Sequence, residues 1–174
     1  MTGRAGRILL WVLLWGVLGG CGYRPLIFPQ MDEQNCQSRS FYLQPLVNQT
    51  TWQHLDVDFT AILLAALEHE PGLFPQEEAA PDLPILSGRL VAVTVEPSAY
   101  NGDDTVREYR CRLSVQLRLE ATNGALLQDL QRVREEFFLS SADRGEILDR
   151  QRLALELAAR RLAADLAAEI AHAP

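Results

Sequence analysis

Few residues in this sequence of 174 have the types and spacing that chemistry at a site requires. The histidines do not share the spacing of metal ligands, and neither HExxH nor CxxC occurs. They are His54, His69 and His172. The sequence also contains no nucleophile elbow, phosphate-binding loop or GxGxxG motif. It therefore predicts a protein that is not an enzyme and holds no metal and no cofactor.

Two acidic stretches have the oxygen ligands that a cation needs. Glu68-His69-Glu70 lies beside Pro71 at the end of a predicted helix, where a solvated charge cluster is the simpler interpretation. Asp103-Asp104 lacks the ligand spacing and the glycine of an EF-hand loop, and it fits a hairpin turn better. We therefore expect neither stretch to bind a metal.

The cysteine that ends the N-terminal apolar run has the clearest chemical role. Arg4 and Arg7 precede the uncharged stretch 8–18, which is shorter than the ~20 residues that a spanning helix needs. A basic start, a short apolar run and small residues after it are typical of a secretory signal peptide. In place of an ordinary cleavage site, Leu18-Gly19-Gly20-Cys21 resembles the lipobox of bacterial lipoproteins. The alternative is a plain signal peptide with a chance cysteine.

The lipobox resemblance implies that the chain is cut before Cys21, that the Cys21 sulfur is lipidated and that the new N-terminus is acylated. Two or more acyl chains anchor a protein stably to a membrane. Gly22 stands where an aspartate would retain a lipoprotein in the inner membrane, which favours the outer membrane. We expect a signal peptide at residues 1–20, a lipidated tether at 21–37 and a single α+β domain at 38–174.

The mature chain is expected to be acidic. Cleavage would leave 14 basic residues against 23 acidic ones, a net charge of −9. This charge argues against nucleic-acid binding, which needs a basic face. Cys36 and Cys111 would lie in a compartment where disulfides persist, so that a Cys36–Cys111 bond and two buried free thiols are both compatible with the sequence.

Alternating hydrophobicity predicts the sheet. Odd-numbered apolar residues from Tyr109 to Leu119 alternate with polar ones, which predicts a long antiparallel strand over 106–120 with one buried face. Further strands are predicted at 40–47, 85–95 and 125–139, the last with a bulge because its alternation is weaker. Asn101-Gly102 and Asn123-Gly124 mark turns, and 75–84 is expected to be a loop.

Two amphipathic helices complete the predicted fold. The first begins at Thr51 and is ended by Pro71-Gly72. Its apolar positions are Leu55, Phe59, Ile62, Leu63, Ala66 and Leu67. The second follows Ser141, and its apolar stripe comprises Leu148, Leu155, Ala158, Leu162, Leu166 and Ile170. The order β-α-β-β-β-α predicts an α+β fold in which both helices cover one face of a four-stranded, mostly antiparallel sheet.

Four stretches, taken in this order, resemble the LptE family of lipopolysaccharide-assembly lipoproteins. They are the lipobox with Cys21–Pro25, a first strand running through "PLVNQT" into the helix with "FTAILLAALEHE", the segment "LSGRLVAVTVEPSAYNGDDTVREYRCRLSVQLRLE", and the Arg-Leu-Ala-rich C-terminal helix. The resemblance implies a non-enzymatic outer-membrane lipoprotein, anchored on the periplasmic side, that plugs the β-barrel LptD. Together the two proteins would insert lipopolysaccharide into the outer leaflet. The alternative is an unrelated outer-membrane lipoprotein that serves as a cell-envelope scaffold or adhesion module.

Three arginines, Arg110, Arg112 and Arg118, lie on the polar side of the predicted long strand. Arginine binds phosphate through a planar, bidentate fork, and lipopolysaccharide carries phosphate groups near its sugars. These arginines are therefore candidates for contact with the lipid head group or with the inner wall of a barrel. The alternative is a solvated face on which they pair across strands with Glu108, Glu120 or neighbouring residues.

Overall fold

The computed structural model describes residues 39–172, which form six strands and two helices. In chain order they are β1 (Arg39–Leu43), β2 (Val47–Asn48), α1 (Leu55–His69), β3 (Leu73–Gln76), β4 (Ile85–Tyr100), β5 (Val106–Glu120), β6 (Leu126–Leu139) and α2 (Arg144–His172). The predicted signal peptide and tether, with Cys21 and Cys36, lie outside the described residues. Neither described helix combines the length and the hydrophobicity that crossing a membrane requires.

The strands form one mixed sheet in the order β3-β1-β4-β5-β6, with β2 also paired to β4. The pairs β4–β5 and β5–β6 are antiparallel, whereas β1 runs parallel to both β3 and β4. The α+β class is confirmed, but the prediction of four mostly antiparallel strands is wrong. Pro45 divides the predicted strand 40–47 into β1 and the two-residue β2.

The strand β3 was not predicted, and its second half, Pro75 and Gln76, falls in the predicted loop 75–84. It is only four residues long and contains Pro75, which cannot donate a ladder hydrogen bond. Proline is tolerated here because, among the described strands, β3 pairs only with β1 and forms an edge of the sheet. Gly72 adopts a φ of 88°, which turns the chain out of α1 and into this strand.

The odd-numbered side chains of β5 form the centre of the core, as the alternation predicts. Cys111, Leu113, Val115, Leu117 and Leu119 are buried. Tyr109 packs against the same cluster and stacks on Phe138 of β6, with ring centroids 5.3 Å apart. This face of β5 is therefore the one that the helices cover.

Most predicted helix positions also belong to the core. In α1, Leu55, Phe59, Leu63 and Leu67 are buried, and Ile62 and Ala66 are partly buried. In α2 the predicted stripe is buried with one exception.

That exception is Leu148, which is 57% exposed. Its predicted burial is wrong because the first turns of α2 pack Ile147 against the core, so that the neighbouring Leu148 faces solvent.

The first helix begins four residues later than predicted. His54 has a left-handed φ of 61°, so helical geometry starts only at Leu55. The preceding residues form a polar turn in which the Asn48 side chain accepts a hydrogen bond from the Thr50 backbone at 2.9 Å. Local side-chain bonds of this kind compete with helix formation.

The hairpin turns lie close to their predicted positions, although β4 continues through Pro97 to Tyr100. At the β4–β5 turn, the Asn101 N–H donates to the Thr105 carbonyl at 2.8 Å. At the β5–β6 turn, Gly124 has a φ of 80°. A register shift at Leu119/Glu120 is the bulge that the weaker alternation of β6 predicts.

Candidate functional site on the open face of the sheet

The even-numbered side chains of β5 lie on the face opposite the helices, together with their cross-strand neighbours on β4 and β6. Arg110 faces Glu96 and Phe137, and Arg112 faces Thr94 and Glu135. We call this surface the open face. It carries all three arginines that the sequence singles out, and the register of the strands decides their partners.

The first cluster on the open face contains Arg110 and Arg112. The Arg110 guanidinium lies 3.4 Å from Glu96 Oε2 and 3.7 Å from Glu135 Oε2. Arg112 binds Glu135 Oε1 at 2.6 Å. Two guanidinium groups thus meet two carboxylates, and the charge of the cluster is balanced.

Pairing across strands with Glu108, Glu120 or neighbouring residues was one of the two interpretations of these arginines. Glu108 instead accepts a hydrogen bond from the Ser98 hydroxyl at 2.8 Å. The actual partners, Glu96 and Glu135, lie on β4 and β6 directly beside the arginines.

The second cluster contains Arg118 and an arginine that sequence analysis missed. Arg118 Nε donates to Asp129 Oδ2 at 3.2 Å, and Gln116 Nε2 donates to Asp129 Oδ1 at 2.9 Å. Gln116 Oε1 in turn accepts two hydrogen bonds from Arg89, from Nε at 3.0 Å and from NH2 at 2.7 Å. The only carboxylate that these contacts reach is that of Asp129, which Arg118 binds directly and Arg89 reaches only through the Gln116 amide.

The pKa of the Asp129 carboxyl reflects these neighbours. The hydrogen bond from Gln116 lowers the pKa of the Asp129 carboxyl most, and the positive charges of Arg118 and Arg89 lower it further. Asp129 therefore stays ionised at neutral pH, while Arg89 binds only a neutral amide oxygen among the described contacts.

A surface pocket of about 270 Å³ adjoins the second cluster. Arg89, Gln116 and Arg118 line one side, and the segment 44–49 between β1 and α1 contributes to the other. Gly88 lets this segment approach the sheet, because a Cβ there would lie 2.5 Å from Leu46 Cδ2 and 2.4 Å from Leu117 Cδ2. The pocket combines two guanidinium groups with several amides and suits an anionic polar ligand.

The remaining chemical candidates lie elsewhere. Cys111 is buried on the helix side, and burial raises the pKa of its thiol to about 11, with a smaller contribution from the charge of Glu136. Because Cys36 is outside the described residues, the Cys36–Cys111 bond stays a prediction. Within residues 39–172, no group of three or more His, Cys, Asp or Glu side chains has the arrangement of a metal site.

A protein-family model described as "LptE: Lipopolysaccharide-assembly" matches residues 38–173. The chain belongs to the LptE family. The resemblance noted in the sequence is thereby confirmed. The match covers every strand and helix described above, and the family is one of non-enzymatic lipopolysaccharide-assembly lipoproteins.

Solved structures share the fold at low sequence identity. A hypothetical protein from Chlamydia trachomatis superposes with a TM-score of 0.57 at 10% identity, covering 78% of this chain and 97% of that one. A minor lipoprotein from Acinetobacter baumannii gives a TM-score of 0.52 at 15% identity, covering 77% and 93%. These two likenesses concern the fold alone. No curated protein matches the sequence.

Proposed function

We propose that this LptE-family protein is an outer-membrane lipoprotein that acts without catalysis as the plug and partner of an LptD-type β-barrel. In this role it takes part in the transport and assembly of lipopolysaccharide. The observation that carries the proposal is the family match, which extends over the whole described domain. The lipobox-like Leu18-Gly19-Gly20-Cys21 and the following Gly22 support a lipid-anchored protein on the periplasmic side of the outer membrane.

The anchor is proposed to be Cys21. The basic start, the short apolar run and Leu-Gly-Gly-Cys support it, since small residues leave room for cleavage and a thiol supplies the nucleophile for lipid transfer. Cys21→Ser should therefore accumulate as an unprocessed precursor. Mass spectrometry of the wild-type chain should find the mature N-terminus at residue 21 with lipid attached. Normal processing at another position would contradict this assignment.

The barrel partnership is tested by affinity capture. The tagged full chain is extracted from outer membranes in mild detergent, and a tagged outer-membrane lipoprotein of another family serves as the control. We expect one large β-barrel protein of the LptD type to co-purify with this chain in near-equal amounts and not with the control. Recovery of no barrel, or of the same proteins by both baits, would favour a scaffold or adhesion role instead.

The open face is proposed to contact lipopolysaccharide or the barrel wall through Arg110, Arg112 and Arg118. The carboxylates around each arginine decide how much positive charge it can offer to a phosphate group. Arg110 and Arg112 are neutralised by two glutamates, whereas beside the pocket Arg118 pairs with Asp129 and Arg89 binds only the Gln116 amide oxygen. A phosphate group would therefore meet more uncompensated positive charge at Arg89 and Arg118 than at the other cluster.

A further inference from the structure

The strand β6 forms the second edge of the described sheet, and within residues 39–172 one side of its backbone has no partner strand. The Ser140 N–H donates to the Arg107 carbonyl at 2.9 Å, which fixes which residues bond to β5. In an antiparallel pair, alternate residues direct both backbone groups to the neighbour. Even-numbered residues of β6 therefore bond to β5, and odd-numbered ones from 129 to 139 direct N–H and C=O outward.

Arginine side chains occupy this outer edge at two points. Arg132 NH1 donates to the Gln131 carbonyl at 2.8 Å, and Arg150 NH1 donates to the Leu139 carbonyl at 3.0 Å. Between them, no hydrogen bond from any described residue reaches the outward backbone groups of residues 133, 135 and 137. We call this stretch, residues 132–138, the edge window.

The two edges of the sheet differ in their protection against strand pairing. β3 is four residues long and contains a proline, which blocks pairing. β6 is 14 residues long and has neither proline nor lysine. Its helix-side charges are held by α2, because Glu136 pairs with Arg161, Arg134 with Asp165 and Arg132 with Glu169. These ion pairs leave the outward backbone of the edge window uncovered.

The edge window is symmetric about Glu135, since the capped carbonyls of residues 131 and 139 are each four residues away. From this symmetry we propose that a second copy of the chain pairs with β6 in antiparallel register, with Glu135 opposite Glu135 of the second copy. Both strands then present outward backbone groups at every bonded position. The pairing ends on each side where an arginine already holds the carbonyl.

Apolar side chains match in this register. Val133 is 50% exposed and Phe137 is 55% exposed, and both lie on the open face. Val133 of one copy stands directly opposite Phe137 of the other, and the symmetry repeats this pair. Cross-strand pairs of aromatic and β-branched residues stabilise a sheet. In the dimer both side chains would therefore be more buried than in a single copy.

The charges match as well. On the helix side, Arg134 of each copy stands opposite Glu136 of the other. The two Glu135 carboxylates meet at the centre, but each is already bound by its own Arg112 at 2.6 Å and approached by Arg110 at 3.7 Å. The guanidinium groups therefore offset the repulsion of the like charges. One strand pair buries less than the ~1,600 Å² of a standard interface, so we expect micromolar association.

Cysteine cross-linking tests the register in the full chain carrying Cys36→Ser. Glu135→Cys should form an intermolecular disulfide, because the two Cα atoms directly opposed across the strands lie within bonding range. Val133→Cys alone should not, since residues 133 of the two copies are about 13 Å apart along the strands. Differently tagged Val133→Cys and Phe137→Cys chains should cross-link when mixed. The Cys36→Ser chain gives the baseline for Cys21 and Cys111.

Proline substitutions separate pairing from folding. Val133→Pro removes only an outward N–H, so the chain should fold with an unchanged circular dichroism spectrum and lose the dimer in sedimentation. Arg134→Pro removes a bond to β5 and should destabilise the fold itself. Val133→Lys offers a second test of the edge should the proline variant not fold.

Either of two results would overturn the proposal. The first is that the wild-type chain sediments as a monomer well above micromolar concentration. The second is that Val133→Cys alone cross-links as strongly as Glu135→Cys. A monomeric wild type whose barrel capture is lost in Val133→Pro would instead assign the edge window to a barrel strand. Barrel capture by the wild-type chain tests the proposed function separately, so the two proposals fail independently.

Discussion

The two faces of β5 serve different purposes in one strand. On the helix side, Leu113, Val115 and Leu117 are almost completely buried in a continuous apolar core. On the open face, the alternate residues are charged or polar and bind partners on neighbouring strands. The first face therefore stabilises the fold, whereas the second leaves polar groups available at the surface.

The open face is itself divided by the balance of its charges. Arg110 and Arg112 meet two glutamates, whereas of Arg89 and Arg118 only Arg118 binds a carboxylate, that of Asp129, among the described contacts. A count of arginines along one strand does not reveal this division. It depends on which carboxylates the neighbouring strands place opposite each guanidinium.

The largest expected effect lies on the helix side. Leu113→Ala or Leu117→Ala should lower the free energy of unfolding by ~2–5 kcal/mol, because each leaves a cavity in a fully packed core. Gln116→Ala, on the other face of the same strand, should lower it by less than about 1 kcal/mol. Urea unfolding of the three variants and the wild-type chain measures the difference. Equal small losses at all three positions would contradict the division between the faces.

Sequence periodicity was sufficient to predict most of the core, because apolar residues that recur with the period of a strand or helix lie on one face, and that face is buried. Strict alternation over 109–119 placed every buried apolar side chain of β5 on the correct face, although Ser114 on the open face is buried as well. The helical stripe of α2 was wrong only at Leu148. In that turn of α2 it is Ile147, which the predicted stripe did not include, that packs against the core.

The features that the sequence did not predict lie where contacts between distant segments decide the structure. β3 has only four residues and gains its ladder from β1, more than 30 residues earlier in the chain. A short segment with a proline carries no periodic signal, so its pairing became visible only in the folded sheet.

Arg89 was missed for a related reason. It lies in a strand whose pattern is predominantly apolar, and its proximity to Arg118 depends on the register between β4 and β5. The prediction named Glu108, Glu120 or neighbouring residues as cross-strand partners, and the actual partners are the neighbours on β4 and β6. Counting the register from the β4–β5 turn would place Arg89 opposite Leu117, and the shift between Leu90 and Ala92 moves it to Gln116.

The measurement that tests the account most directly compares lipopolysaccharide binding by two matched double variants of the full chain. Arg89→Gln with Arg118→Gln and Arg110→Gln with Arg112→Gln each remove two positive charges from the open face. Exposed pairs contribute ~0–1 kcal/mol each, so both variants should keep nearly the wild-type melting temperature. We expect the first variant to lose affinity by about tenfold or more, because charge-assisted hydrogen bonds to phosphate are lost. We expect the second to lose clearly less. Unchanged binding in the first variant, or an equal loss in both, would contradict the claim that the uncompensated cluster of the open face receives the lipid.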